Sequence, residues 1–243
     1  MEFIQNGLQL NPNTSRTYPF LLSIGADPAI QTSDSSIDLV VVYDYDEQNL
    51  TSKVQNTRRI FSSIMDQLGP KDRISVIFSD DGAKRVTPLL KINGKNKSFI
   101  LGQVEKECGV LNYDLTRAFA LGVNTFKTRK FKNQVSVVFV ISTRNLSSQS
   151  MNNYQGNGED YIMYSFGFNK ASSVFLDKVS RNFGGEHYFC ESREDLRSNI
   201  AKVIINTRKI ICNQLTISLK PELSYYFPEL EFDFSQCKNT WDL

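Results

Sequence analysis

The chain has 243 residues, 40% of them hydrophobic and 22% charged, which is the composition of a globular protein with a full core rather than of a disordered one. A net charge of +2 with a pI near 8.3 is too small and too spread to mark a nucleic-acid-binding face. No apolar run reaches the length of a membrane span, and the start MEFIQNGLQLNPN has no basic region followed by an apolar core, so neither a span nor a secretory signal is expected.

The first pieces, FIQNGLQL and YPFLLSIGA, read as strands, and the polar QTSDSS delivers the chain to IDLVVVYD, a Val-rich run suited to a central parallel strand buried on both faces. From Thr51 the period changes. Val54, Ile60, Phe61, Ile64, Met65 and Leu68 share one helical face, and Gly69-Pro70 predicts a stop in which Gly69 takes the left-handed cap. DRISVIFSD reads as a strand and AKRVTPLL as a shorter antiparallel one, reversed through Asp80, Asp81 and Gly82. A short helix over roughly Lys97 to Glu107 leads to a longer one whose inner face is Leu115, Ala118, Phe119 and Phe126. The basic run KTRKFK that follows reads as a solvated C-terminal turn.

QVSVVFVIS is again a buried strand, and after a polar loop comes YIMYSFGF. Val174, Phe175, Leu176, Val179 and Phe183 then fall at helical spacing, and the glycines of FGGEHYF turn the chain into a short strand. Ser192 and Asp195 form a capping pair for a last core helix with Leu196, Ile200, Val203 and Ile204 inward. The tail NQLTISLKPEL and YYFPELEFDF alternates like half-exposed strands. The alternation β-α-β-β-α-α-β-α-β-α predicts an α/β fold: a Rossmann-like, doubly wound, mostly parallel sheet with one antiparallel edge strand and flanking N- and C-terminal β-strands. The expected division is 1–34 as a β flank and linker, 35–210 as the main domain and 211–243 as a C-terminal β segment.

Function in such sheets sits at the carboxyl ends of the strands. The loops starting at Asp44, around Asn112 to Asp114, and at Thr143 all leave that edge, so the acidic stretch YDYDEQNL lies where a site should be. The four cysteines, at 108, 190, 212 and 237, form no C-x-x-C pair and no zinc constellation, and are expected as reduced thiols of an intracellular, cytoplasmic protein. His187 is the sole histidine and has no nucleophile at motif spacing, so it is expected to be structural or exposed, and no catalytic residue is assigned.

IDLVVVYD, MDQLGPKDRISVIFSDDGAKRVTPL, DLTRAFALGV, VSVVFVIS and YSFGFNKASSVFLDKVSRNFGGEHYFCES together resemble a von Willebrand factor A domain over most of the chain. The branches they resemble most are the A domains of intracellular plant RING-type ubiquitin ligases and of inter-alpha-trypsin-inhibitor heavy chains, although no RING zinc ligands occur here. The resemblance implies a module that binds a protein partner, in the family through a divalent cation held by an Asp-x-Ser-x-Ser loop, a Thr and a further Asp. Asp44 occupies the first Asp position, Asp46 and Gln48 the two Ser positions, Tyr113 the Thr position and Thr143 the last Asp position. Only Asp44 keeps the ligand type, so the resemblance implies a degenerate, metal-free site.

The expected binding edge is Asp44, Asp46, Glu47, Gln48, Asn112, Tyr113, Asp114 and Thr143, which a scaffold module within a larger protein assembly would use to dock a partner. Two alternatives stay open. Asp44, Asp46 and Asp114, with a carbonyl from Asn112, are hard oxygen donors for a rearranged Mg or Ca site, and the ligase resemblance implies a substrate-recognition component of a ubiquitin ligase system.

Overall fold

The computed structural model describes residues 35–45, 49–79, 82–108, 114–143, 161–168 and 173–209, and the expected flanks 1–34 and 211–243 lie outside them. Along the chain run β1 (Ile37–Asp44), α1 (Leu50–Gln67), β2 (Arg73–Phe78), β3 (Lys84–Lys91), α2 (Gly94–Glu107), α3 (Leu115–Lys127), β4 (Val135–Ser142), β5 (Ile162–Phe168), α4 (Ser173–Asn182), β6 (His187–Cys190) and α5 (Arg193–Arg208). The six strands form one sheet in the order β3-β2-β1-β4-β5-β6, all parallel except β3 at one edge. YIMYSFGF supplies β5, a strand beyond the alternation read from the sequence.

Both central strands are buried along their whole length, because helices cover both faces. Period two divides β1 between the layers. Leu39, Val41 and Tyr43 join the core with Phe61 and Ile64 of α1, Ile100 of α2 and Ile200 of α5. Val40 and Val42 face Phe119 of α3 and Leu176 of α4. Two glycines set how closely layers approach. A Cβ on Gly185 would stand 1.9 Å from the Met163 carbonyl oxygen, so the entry to β6 requires glycine, and one on Gly122 would stand 3.2 Å from Val40 Cγ1, a tight fit of α3 on β1.

Several local expectations change. Gly69 is not in the left-handed region; α1 instead ends at an extended Leu68, and the Gly69 N–H donates to Asp72 Oδ2 at 2.6 Å. The side-chain acceptor thus replaces the expected glycine cap. α2 begins at Gly94, before Lys97, because the Asn93 side chain caps it by accepting from the Asn96 N–H at 2.9 Å. β3 has eight residues to six in β2, so it is not the shorter of the pair. Val174 points outward, 81% exposed, while Phe175, Leu176 and Val179 form the buried face of α4.

The amino edge of the sheet is held by buried ion pairs. Asp38, 0% exposed, receives Arg73 Nε and Nη2 at 2.7 Å each, Arg129 Nη1 at 2.7 Å and the Asn133 N–H at 3.2 Å. Asp72 receives Arg208 Nη2 at 2.5 Å and the Ile37 N–H at 2.9 Å, tying α5 to the start of β1. A buried carboxylate is tolerated only when its charge and lone pairs are met, and here guanidinium forks meet both. Arg129 is therefore turned inward, and KTRKFK is not uniformly a solvated turn.

Candidate functional site at the carboxyl edge

The chain reverses its strand order at β1, whose neighbours are β2 and β4, so the crevice between the carboxyl ends of β1 and β4 is the topological switch point. Asp44 closes β1 and lies in register with Ser142, the last residue of β4. Tyr43 and Tyr45 stack at 5.4 Å on the opposite side of the strand, and the Tyr43 hydroxyl lies 3.0 Å from Thr57 Oγ1 of α1. That anchoring of the two tyrosines, one residue to each side, turns Asp44 toward the α3 layer.

Asp44 is 0% exposed. Its Oδ1 accepts from Ser79 Oγ at 2.5 Å and its Oδ2 from Ser142 Oγ at 2.8 Å. Backbone bonds stitch the same loops: Ser79 N–H to the Tyr43 carbonyl at 3.1 Å, Thr143 N–H to the Asp44 carbonyl at 3.1 Å, and Asp114 N–H to the Ser79 carbonyl at 2.8 Å. The Asp114 side chain caps α3 by accepting from the Arg117 N–H at 2.9 Å. Asp44, Asp114 and Thr143 are thus brought to one edge from three distant parts of the sequence. Asp46, Glu47, Gln48, Asn112 and Tyr113 lie outside the described residues.

Ser79 and Ser142 were not among the expected site residues, although each follows or closes a Val/Ile-rich strand flanking β1. Parallel pairing was the signal that could have found them: with Tyr43 opposite Phe78 and Asp44 opposite Ser142, both hydroxyls fall level with Asp44. Asp44 itself is too buried to be a contact surface; it holds the loops that leave the edge.

Magnesium needs six oxygens in near-octahedral array. Among the described residues, no group of three His, Cys, Asp or Glu side chains is placed to hold a metal ion. Both Asp44 oxygens take serine hydroxyl protons, and an Asp114 oxygen is committed to a helix cap. The described donors do not by themselves fit such an ion.

His187 is placed by β6 beside β5, where Nδ1 lies 2.8 Å from Ser165 Oγ, which is also 2.7 Å from Ser180 Oγ. Burial lowers the His187 pKa, with the nearby Asp177 charge opposing the shift. Ser165 and Ser180 are fully enclosed, so the two hydrogen bonds tie α4 and β6 to β5 and offer no exposed nucleophile. Cys108 and Cys190 are buried, and burial raises the Cys190 pKa, which keeps that thiol protonated.

No protein-family profile matches the chain. Over 139 residues it is 27% identical to a probable E3 ubiquitin-protein ligase, WAVH2, of Arabidopsis thaliana, a match that covers 52% of this chain and 19% of that protein. The chain thus spans about a fifth of the length of that curated relative. Among solved structures it is similar to a von Willebrand factor type A protein of Catenulispora acidiphila, at a TM-score of 0.58 and 11% identity over 72% of this chain and 43% of the other. BatB of Bacteroides thetaiotaomicron superposes at a TM-score of 0.55 and 10% identity, covering 72% of this chain and 100% of that one. Proximal thread matrix protein 1 of the mussel byssus, in a form with a zinc-occupied metal-ion-dependent adhesion site, matches at a TM-score of 0.53 and 14% identity over 74% of this chain and 46% of its own. At these identities the likeness is one of fold.

Proposed function

We propose that this domain, which has the von Willebrand factor A fold, is a non-enzymatic protein-interaction module that docks its partner at the carboxyl edge of the sheet without a bound cation. The observation that carries the proposal is the state of Asp44. The carboxylate at the family's first ligand position is enclosed, with a serine hydroxyl on each oxygen, so it serves as an internal tie between β1, β2 and β4. An edge whose ligand position has become a brace leaves contact to neighbouring residues, and Asp46 and Glu47, next in sequence, carry negative charge that suits a basic partner. The departures at Asp46, Gln48, Tyr113 and Thr143 from the family's ligand types agree with the same reading.

The test is a paired comparison. Affinity capture from the source cell, followed by mass spectrometry, is done with the parent and with Asp46→Lys/Glu47→Lys. At least one retained protein should be lost from the variant while its melting temperature stays that of the parent; identical retention removes the edge as the interface. Millimolar magnesium, calcium or manganese should leave the melting temperature unchanged, because a cation selective for the native state would raise it by mass action. A rise would restore the rearranged cation site.

A second reading, a substrate-recognition component of a ubiquitin ligase system, has the sequence similarity to the plant protein as its support. It predicts a ubiquitin-conjugation component among the retained proteins. Within the described residues no helix is long and apolar enough to cross a membrane, and the widely spaced cysteines without a paired motif suit a reducing interior, where we place the protein.

A further inference from the structure

α2 is fastened at both ends and along its inner side. Asn96 Nδ2 donates to the Lys91 carbonyl at 2.9 Å and ties the first turn to β3, and the Lys84 ion pair with Glu107 at 2.5 Å ties the last. Lys97 bonds Asp66 at 3.1 Å and Arg58 bonds Glu105, which joins α2 to α1, while Ile100 and Val104 are wholly buried. The opposite face takes no part in these contacts. Phe99, Gly102 and Lys106 follow Lys95 by four, seven and eleven residues, the spacing of a single helical stripe, and all four are exposed. The Phe99 ring is 50% exposed, and a Cβ on Gly102 would meet nothing within 4 Å, so the ground beside the ring is open. Folding gains little from a ring left half in water on a braced helix.

The charge around the stripe is one-sided. From Lys84 to Glu107 the sequence carries six lysines and arginines against two glutamates, and the fold uses both glutamates, Glu105 with Arg58 and Glu107 with Lys84. Lys97 is likewise taken, by Asp66. Lys95 and Lys106 are exposed and form no ion pair, and Arg85 and Lys91 of the neighbouring β3 add to the same excess. A carboxylate brought to either end of the stripe therefore meets a lysine that no other carboxylate bonds.

Three features select the occupant. The lysines stand eleven residues apart, about 16 Å along the axis, with the ring between them, so the counterpart is straight and carries two separated acids. Its backbone must be satisfied internally, because the side of a helix offers no backbone donors and Pro88 puts a residue without an N–H in the edge strand β3. One half-exposed ring between two lysines buries too little apolar area to hold a lipid surface. We propose that this stripe packs an acidic amphipathic helix of a protein partner, with one carboxylate on Lys95, another on Lys106, and an apolar side chain over Phe99 and into the opening at Gly102. Steps of four, seven and eleven read the same in either direction, so the partner's own pattern is acid, apolar, apolar, acid at those steps. None of these residues belongs to the carboxyl edge, so the contact goes beyond the docking proposed there and is tested separately from it.

The experiment is fluorescence anisotropy of a labelled, alanine-rich peptide of about 20 residues, with glutamates at the outer positions of that pattern and leucines at the inner ones, titrated with the full chain at low and at high salt. The parent should bind it and lose affinity as salt screens the exposed charge. Lys95→Glu/Lys106→Glu should weaken binding by more than about tenfold, because it sets like charges against each other. Phe99→Ala should weaken it several-fold and leave the salt dependence in place. All three side chains are exposed, so melting temperatures should stay close to that of the parent and separate lost docking from lost fold. No binding by the parent, equal binding of a peptide with lysines in place of the glutamates, or full binding by the charge-reversed variant overturns the proposal. Binding of a polyglutamate coil as tightly as the helix, or sedimentation with phosphatidylserine vesicles without peptide binding, assigns the stripe to a different anion and overturns it equally.

Discussion

β1 carries an aspartate near each end, Asp38 and Asp44, on the same side of the strand and both fully enclosed. At the amino end two arginines and a backbone N–H surround Asp38, linking β1, β2, the α3–β4 segment and β4 through charge-matched bonds. At the carboxyl end two serine hydroxyls meet Asp44. Guanidinium forks draw the amino end around one carboxylate, and serine hydroxyls at the ends of the two neighbouring strands draw in the carboxyl end. Burial alone therefore does not say what an acidic residue is for. One aspartate is the hub of a structural clamp, and the other ties together the edge where ligands bind in folds of this kind.

The clamp gives the largest expected effect. Asp38→Asn leaves Arg73 and Arg129 facing a neutral amide inside the protein, and removing one partner of a buried ion pair costs about 3–5 kcal/mol. The urea midpoint should fall accordingly with an unchanged slope. A loss under about 1 kcal/mol would mean that the cluster is hydrated and the contrast between the two ends is false. At the other end, Ser79→Ala and Ser142→Ala each remove a hydrogen bond to a charged group and should cost about 1.5–3 kcal/mol. Because both hydroxyls serve one carboxylate, the double variant should depart from additivity, and strict additivity in a double-mutant cycle would show that they act independently of Asp44.

The order of elements was largely legible because it rests on local pattern. Val-rich runs announced β1 and β4, and the Ser192/Asp195 capping box opens α5 as its spacing implied. Boundaries failed where a side chain from outside the pattern settles the end of an element: Asp72 at Gly69, and Asn93 before Gly94. The Asp38 cluster was invisible for a different reason. Its arginines lie 35 and 91 residues away, and nothing in KTRKFK distinguishes the inward Arg129 from the outward Lys130. At the candidate site the position of Asp44 at a strand end followed from sequence, while its enclosure by Ser79 and Ser142 depends on sheet order. Order across a sheet is set by crossovers that periodicity does not encode.

Asp114 sharpens the contrast with the smallest effect. It sits at the carboxyl edge, half-buried, and its carboxylate caps α3 by accepting from the Arg117 N–H. Capping needs an oxygen acceptor, not a charge, so Asp114→Ala should cost about 1 kcal/mol whereas Asp114→Ser should stay within a few tenths of the parent. If the edge acts in docking through negative charge, Asp114→Ser should still weaken partner retention in the capture experiment despite its near-native stability. Retention equal to the parent in Asp114→Ser, beside a loss in Asp46→Lys/Glu47→Lys, would confine the contact to the β1 loop and leave Asp114 with the helix alone.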